Sequence, residues 1–544
     1  AERLWGQARP WGPAPAAAEG RWLMCPSEGA CGSQRRQRWR VHPRTLALQV
    51  GDLSSVPGIA PGTYGPVAEH WRTSPPRYQG GSVGLQAVAA FVRELLDGDP
   101  FGTGGEVPYV DFQAPGEGKV VAITQRQLAF LVANALMGNG IPARDGLSAA
   151  FQRCAATSRS GFVYSLLSLL AVLSQELAAG GQGTTLIAAT PKAADESWRQ
   201  QLANHSLAAP TLCIEGAGAA QCSLADFMSG GTPHQAVTDI AGGTVGGGAQ
   251  LCEVANSQDE SAVQFYSEVL AFAFFVGNAG MLPVPWTLLG ARRYMQDFRG
   301  ETGVGAPFFS SCGRIVKSDW LNQEISSSRV DVNLQGLPVP VASGAFVAVA
   351  SECSGCKAGS ACTHEEEVNN NCDAQRRHLD ADISRWYQAY APGMYNPVVQ
   401  AAHRQVVRRI GTGPWGAGVW WGDSQQYFLA TWLATSLLGG TTLDYYVYDH
   451  FCENPGNQCF VLGAKGCAAC VARSRAGPQL QASRCGQRGL RDMVSHFAGQ
   501  PSSALHAALA AVGPPPSQVF DLLGAGGGGA GGGFPGAEAI AVFK

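Results

Sequence analysis

Long uninterrupted apolar runs are absent from this sequence of 544 residues. A membrane-spanning helix needs about 18 consecutive apolar residues, and the nearest run, from Tyr164 to Ala179, is interrupted by Ser, Gln and Glu. Charge is also scarce: 15% of residues are charged, and 38 basic against 41 acidic side chains leave a net charge of -3. We therefore predict no membrane span and no general nucleic-acid binding, so any anionic ligand has to be held locally.

Two further signatures are missing. No Gly-x-Ser-x-Gly elbow accompanies Ser257 or Ser261, which disfavours a serine hydrolase. His364 precedes three glutamates and is interpreted as part of a solvated acidic loop rather than as a metal ligand. We expect no cofactor and no metal.

Cysteine, in contrast, is plentiful, with sixteen in the chain. Isolated pairs such as Cys25 and Cys31 cannot all be metal ligands, so the pattern favours disulfides and an oxidising compartment. The alternative is zinc, because the Cys-x-x-Cys spacings at 353–356 and 467–470 are typical of a zinc knuckle. The sequon Asn204-His205-Ser206 predicts glycosylation of Asn204 and agrees with a secreted or extracellular protein.

The chain exceeds what one hydrophobic core usually organises, so more than one domain is expected. Residues 1–80 form an irregular extension, 81–230 a helical region and 231–500 an α/β domain, followed by a Pro/Gly-rich tail at 501–544. Two cysteine-rich segments, 352–374 and 452–486, are interpreted as loop insertions.

Hydrophobic periodicity places the secondary structure. Helices are predicted at Leu85 to Leu96, Thr124 to Gly138, Ser160 to Leu177, Gln264 to Phe275 and Asp423 to Leu438. Short β-like runs occur at Gln235 to Ala241, Pro285 to Gly290, Gly344 to Ser351 and Thr442 to Asp449. Strands that alternate with helices indicate an α/β fold class.

The stretch 242–260, GGTVGGGAQLCEVANSQDE, carries the candidate chemistry. Glycine backbone lacks side chains and brings its N–H groups close to a diphosphate. Taken alone, a triple glycine is more often a flexible loop in a chain with 70 glycines. The Gln-Asp-Glu triplet that follows makes the pattern specific.

This pattern resembles the poly(ADP-ribose) glycohydrolase family, whose signature is three glycines, a loop and Gln-Glu-Glu. Three other stretches occur in the family's order: TQRQLAFLVANALMG at 124–138, WTLLGARRYMQDFRG at 286–300 and TGPWGAGVWWGD at 412–423. The resemblance covers roughly residues 120 to 450. It implies a macrodomain-like α/β/α sandwich that follows a helical accessory region and binds ADP-ribose or poly(ADP-ribose).

The resemblance also implies residue roles. Glu260 occupies the position of the catalytic acid/base, and Asp259 matches a carboxylate that holds ribose hydroxyls. An acid that protonates the leaving oxygen and then activates water suits cleavage of a ribose–ribose glycosidic bond. The implied ligand-binding residues are Gly246, Gly247, Gly248, Gln258, Phe298, Gly416, Gly418, Trp420 and Asp423.

Several positions depart from the family pattern. Gly242 stands where an Asn contacts ribose, Phe298 replaces a Tyr, Pro414 replaces an Asn, and Trp421 replaces a Gly in the diphosphate loop. These changes support a second hypothesis: a catalytically degenerate, secreted glycoprotein that binds protein partners in an extracellular assembly. The indoles of Trp415, Trp420 and Trp421 are equally compatible with stacking on a base and with a buried aromatic cluster.

Overall fold

The computed structural model describes residues 23–24, 38–40, 53, 64–73, 75–98, 100, 106–108, 118–136, 156–178, 183–214, 234–240, 265–269, 285–299, 309–311, 314–320, 327–334, 337–350, 379–413, 415–416, 424–447, 458–473, 485–512 and 519–525. Structural statements below concern these residues.

The twelve helices of this part of the chain are α1 Tyr64–Thr73, α2 Leu85–Asp97, α3 Gln125–Leu136, α4 Ala156–Ala178, α5 Ser197–Gln201, α6 Leu379–Tyr390, α7 Pro397–Val406, α8 Ser424–Ser436, α9 Gly463–Arg473, α10 Leu490–Phe497, α11 Ser502–Ala511 and α12 Val519–Ala525.

The strands described are β1 Leu23–Met24, β2 Arg38–Arg40, β3 Arg77–Tyr78, β4 Gly81–Ser82, β5 Glu106–Pro108, β6 Val120–Thr124, β7 Thr185–Ala189, β8 Thr211–Ile214, β9 Gln235–Ile240, β10 Trp286–Leu289, β11 Met295–Arg299, β12 Phe309–Ser311, β13 Arg314–Trp320, β14 Arg329–Leu334, β15 Leu337–Ala342, β16 Ala345–Val349, β17 Arg409–Thr412 and β18 Thr442–Val447.

The chain divides into two compact units, each assembled from separate segments. Unit 1 comprises 1–193, 228–348 and 392–407, and unit 2 comprises 194–227, 349–391 and 408–544. The two units therefore interleave along the sequence, and each needs chain segments that are far apart in the order of synthesis.

Unit 1 is organised by a sheet whose strands lie in the order β1-β6-β7-β10-β16-β9. The pairs from β1 through β16 are antiparallel, with Thr287 opposite Ala189 on one side and Val347 on the other. Helices α1, α2 and α3 pack against α4, whose residues 163–173 are all buried. A helix that is apolar on every face belongs in a core. No described helix is long and apolar enough to cross a membrane.

Unit 2 contains three parallel strands in the order β17-β18-β8. Its central helix is α8, in which all residues from Ser424 to Ser436 are buried. The polar side chains on this helix need internal partners, and Gln425 shows how they obtain them. Its amide donates to the Phe460 carbonyl at 2.7 Å, and its oxygen accepts the Phe520 N–H at 2.9 Å.

The predicted α/β class is confirmed, as are the helices now named α2, α3, α4 and α8 and the strands β9, β10, β16 and β18. The reciprocal capping at the start of α3 is present: Thr124 N–H donates to the Gln127 side chain at 2.9 Å, and Gln127 N–H donates to the Thr124 hydroxyl at 3.2 Å.

Two predictions require correction. The region 81–230, interpreted as helical, also supplies β6, β7 and β8, because short apolar runs such as VVAIT at 120–124 are buried strands rather than helix turns. The segment 452–486, interpreted as a loop insertion, contains helix α9, which follows a short 3-10 turn at Gln458–Val461.

Candidate functional site

Most predicted site residues lie outside the described residues. These are Gly246, Gly247, Gly248, Gln258, Asp259, Glu260, Gly418, Trp420 and Asp423. The structure does describe the chain on both sides of the 242–260 stretch, namely β9 and the segment 265–269. These two flanks define where the candidate catalytic segment begins and ends.

Both flanks are firmly buried. Five of the six residues of β9 are buried, including Asp239 with 0% exposure. On the other side, all five residues of 265–269 are buried. The Ser267 hydroxyl lies 2.6 Å from that of Ser165 and donates to the Ser165 carbonyl at 2.9 Å, which fixes the segment on α4.

Glu268 is the centre of a buried polar cluster that follows the candidate segment. Its carboxylate accepts hydrogen bonds from the Tyr294 hydroxyl, from Gln125 Nε2 at 3.4 Å and from the Arg292 backbone N–H at 3.3 Å. Arg292 Nε lies 3.5 Å from Glu268 Oε1, whereas Arg292 Nη1 and Nη2 donate to the Glu176 carboxylate at 2.6 and 3.1 Å. The bidentate Arg292–Glu176 pair is therefore the primary ion pair, and Glu268 is the second carboxylate on the same guanidinium.

The carboxylate pKa values shift in opposite directions. Complete burial raises the pKa of Glu268, and the Arg292 charge and the Tyr294 hydroxyl only partly oppose that effect. Burial also acts to raise the pKa of Glu176, but the Arg292 charge and hydrogen bonds outweigh it, and the pKa is lowered. Burial and the nearby Glu176 raise the pKa of the Tyr78 hydroxyl to about 12, so it stays a donor to Glu176. Glu176 is thus the stably ionised partner of Arg292.

A glycine turn brings Arg292 and Tyr294 to this cluster. Gly290 follows β10 with φ +90°, and its N–H donates to the Gly344 carbonyl at 2.8 Å. A Cβ at Gly290 would lie 2.7 Å from the Thr185 carbonyl oxygen, so the turn requires glycine. The predicted strand ending in Gly is confirmed here. Phe298 lies on β11 opposite Lys317, and its side chain is outside the described set.

The Glu268 cluster is structural rather than catalytic, and together with β9 we call it the frame of the candidate segment. Glu268 has 0% exposure and Arg292 5%, so a solute does not reach either group in this structure. Because their hydrogen bonds join α3, α4, the 290–294 turn and 265–269, they hold the end of the candidate segment in place. Among the described residues, no group of three or more His, Cys, Asp or Glu is suited to a metal ion.

Sequence reasoning did not find Arg292 and Glu176 as members of the cluster. Two signals were available: a glutamate near the end of an otherwise apolar helix, and two arginines directly after an apolar strand. Both patterns place charge where burial requires a partner.

In unit 2, the start of the second predicted loop is described. Thr412 and Trp415 are fully buried, and Gly416 has φ +70°. The Trp415 ring lies 5.1 Å from Trp386 and 5.4 Å from Tyr427. Trp415 therefore belongs to a buried aromatic cluster, which decides against its stacking on a ligand base.

Four cysteines in the described part of unit 2 are oxidised. Cys467 forms a disulfide with Cys485, so the alternative of a zinc knuckle at 467–470 is wrong. Cys213 and Cys459 are also disulfide-bonded. The cysteine-rich segment 352–374 lies outside the described residues. Asn204 is exposed in the turn after α5, and its Nδ2 donates to the Gln200 carbonyl at 3.0 Å.

No family model matches the sequence, and no curated protein matches it. Solved structures of poly(ADP-ribose) glycohydrolase from Deinococcus radiodurans are similar to this chain. The enzyme in complex with ADP-ribose is 14% identical, with a TM-score of 0.26 over 46% of this chain and 83% of its own. A single-site mutant in complex with ADP-ribose is 12% identical, with a TM-score of 0.26 over 51% and 90%. TM-scores this low do not establish a shared fold, so the chemistry proposed below rests on this chain's own residues.

Proposed function

We propose that this chain binds ADP-ribose through the 242–260 segment and cleaves ADP-ribosyl glycosidic bonds, with Glu260 as acid/base and Asp259 as the ribose anchor. The supporting observation is the fixed frame on both sides of that segment: the buried strand β9 before it and the Glu268 cluster after it. A loop that has to hold a diphosphate and aim a carboxyl group needs rigid attachments.

The chemistry follows from the residue types. Glycosidic cleavage passes through an oxocarbenium-like state, which requires one carboxylic acid to protonate the leaving oxygen and then, as a base, to activate water. Glu260 has the acid chemistry for both steps. Asp259 has two acceptor oxygens for ribose hydroxyls, and Gly246 to Gly248 offer backbone N–H donors without side chains.

The test is calorimetric titration with ADP-ribose followed by a hydrolysis assay on poly(ADP-ribose). Glu260→Gln should reduce turnover by roughly 100-fold or more, the usual contribution of a general acid, while ADP-ribose binding persists. Glu69→Gln is the control, because it removes the same charge from an exposed position outside the segment and should leave turnover unchanged. Equal turnover in Glu260→Gln and the wild type would exclude the proposed mechanism.

The second candidate is a secreted glycoprotein that binds protein partners in an extracellular assembly. It is favoured by the Cys467–Cys485 disulfide and by a sequon whose Asn204 and Ser206 are both exposed. Disulfides of this kind form in oxidising compartments, where sequons are also modified. Gly242 lacks the ribose contact that the glycohydrolase resemblance implies, and the bulky Trp421 stands where backbone would approach the diphosphate.

The second candidate is tested by intact-mass measurement of protein expressed through a secretory pathway, before and after enzymatic removal of N-linked glycans. The wild type should lose mass, and Ser206→Ala, which destroys the sequon, should not. A wild-type protein that carries no glycan would contradict the predicted glycosylation of Asn204. Robust hydrolysis of poly(ADP-ribose) would contradict the assignment as catalytically degenerate.

A further inference from the structure

His403 is an ionisable side chain enclosed in the core of unit 1. It lies on α7, on the same buried face as Val399, Ala402 and Val406, and is 1% exposed. Its ring stacks on Tyr395, with centroids 4.8 Å apart and an interplanar angle of 30°. The Tyr395 hydroxyl is in turn 2.6 Å from the Thr287 hydroxyl on β10.

Neither ring nitrogen of His403 has a hydrogen-bond partner within the part of the chain that the structure describes. A neutral imidazole carries one N–H donor, and a protonated one carries two. Each proton on an unpaired buried nitrogen carries a desolvation cost. Among the described residues, the site therefore holds the neutral ring at some cost and offers neither nitrogen of the charged ring a hydrogen-bond acceptor.

The charged groups around α7 do not compensate for a proton. Its own neighbour, Arg404, is a cation. Strand β14, which packs against α7, places Val332 and Leu334 inward and leaves Arg329 and Asp331 exposed. Strand β10 and the 3-10 turn 392–394 have no charged residue. The Asp331 carboxylate is therefore exposed and does not serve as a counter-ion for the buried His403 ring.

A second histidine touches the same helix. His234, just before β9, has its Nδ1 2.8 Å from the Gln405 carbonyl. A carbonyl oxygen accepts a hydrogen bond from either a neutral or a protonated imidazole, so a proton on His234 does not break this contact. His234 supplies the natural control for any effect of acid on α7.

The connectivity of α7 makes its detachment feasible. Residues 392–407 belong to unit 1 but are separated in sequence from its other segments, 1–193 and 228–348. Within unit 1 this segment is therefore held by packing and hydrogen bonds, such as Lys192 N–H to the Met394 carbonyl at 2.7 Å. Such a segment has a local opening free energy of its own, which lies at or below that of global unfolding.

We propose that His403 makes α7 an acid-sensitive element, which separates from the core of unit 1 when the ring takes up a proton. This behaviour is independent of the proposed hydrolysis. A protein that passes between compartments of different acidity would change the exposure of residues 392–407 without any ligand.

The expected size follows from linkage. Burial, with a smaller contribution from Arg404, lowers the pKa of His403 to about 3. The ordinary value of about 6.5 returns when the ring is exposed. The stability that the neutral ring contributes to the packed state is therefore fully present above about pH 6.5 and is lost progressively as the pH falls towards the folded-state pKa. Between pH 7.5 and 5.0 the opening equilibrium should rise about 30-fold.

Hydrogen exchange of the full chain, measured by mass spectrometry and corrected for the intrinsic effect of pH, tests the proposal. Wild-type amides of residues 398–406 should lose about 30-fold in protection at pH 5.0 relative to pH 7.5. His403→Phe keeps an aromatic ring on Tyr395 without a titrating group and should lose less than about 3-fold, while His234→Gln should behave as the wild type.

Three results would overturn the proposal: constant protection in the wild type, an equal acid response in His403→Phe, or an acid response abolished by His234→Gln. If His403→Phe does not reach wild-type protection at pH 7.5, His403→Leu serves as the second non-titrating variant. The criterion is the ratio of protection at the two pH values within each variant. A loss of stability that is equal at both pH values leaves this ratio unchanged.

Discussion

Removing the carboxylate of Glu268 should loosen the frame that follows the candidate segment. In Glu268→Ala, the Tyr294 hydroxyl, Arg292 Nε and the Arg292 backbone N–H lose their acceptor, whereas the Gln125 amide keeps the Thr184 hydroxyl. Each unsatisfied buried donor costs about 1–3 kcal/mol. Because Arg292 retains its closer bidentate pair with Glu176, we expect the lower part of that sum, about 3–5 kcal/mol.

Glu268→Gln separates the effect of charge from that of hydrogen bonding. The glutamine oxygen still accepts from Tyr294, and burial already disfavours the charged carboxylate, so the cost should be about 1 kcal/mol. The pKa of Glu268 is raised in the folded state, so the protonated side chain stabilises the wild type at low pH. This contribution is lost as the pH rises through the folded-state pKa of Glu268. The difference between Gln and wild type should therefore shrink with rising pH.

The assay is hydrogen exchange of the amides of β10 and residues 291–294, which reports the local opening free energy. Glu69→Ala is the control, because Glu69 forms an exposed ion pair with Arg72 in the same unit and its removal should leave the exchange close to that of the wild type. The reasoning is refuted if Glu268→Ala resembles the control, or if Glu268→Gln is as damaging as Glu268→Ala.

Three further predictions concern the Gly290 turn of unit 1 and, in unit 2, Asp380 and the Cys467–Cys485 disulfide. Gly290→Ala should lower the free energy of local opening by about 2–3 kcal/mol through the clash and the left-handed backbone; Gly440→Ala, with φ +80° and open space around its Cβ, should cost only about 1 kcal/mol by the same exchange measurement. The hydrogen bond with His506 helps to lower the pKa of Asp380, so its carboxylate contributes stability that disappears on acidification. In Asp380→Asn, the melting temperature should therefore fall less steeply below about pH 4 than in the wild type. An equally steep fall in both proteins would contradict this. The double variant Cys467→Ser, Cys485→Ser removes a disulfide that closes a loop of 18 residues, which should lower the free energy of unfolding by about 3 kcal/mol. The melting temperature of unit 2 should fall accordingly, and an unaltered melting temperature would refute this.

Local patterns were sufficient for much of the fold. The period of α2 and the reciprocal cap at Thr124 and Gln127 depend on neighbours three or four residues away, so the sequence contains all that is needed to predict them. The strand β10 and its closing Gly290 were recognised in the same way, from an apolar run ending in glycine.

Long-range pairing was not predictable in this way. Glu176, Glu268 and Arg292 meet only because the sheet order places β10 beside β7 and returns the chain at residue 290, and nothing in the local spacing encodes that order. The strands β6 and β7 were missed for a related reason. Short apolar runs fit a strand or a helix equally well until their partners are known.

The interleaving of the two units has a consequence for biosynthesis. Unit 1 includes residues 392–407, and unit 2 takes residues from 194 onwards. A nascent chain therefore cannot complete unit 1 until the ribosome has translated past residue 407, although most of that unit has emerged long before. Until then, the surface of unit 1 that packs against α7 stays exposed. Exposed apolar surface in a nascent chain binds chaperones and promotes aggregation. Yield in cells should consequently depend on the speed of translation between residues 349 and 407 and on chaperone supply.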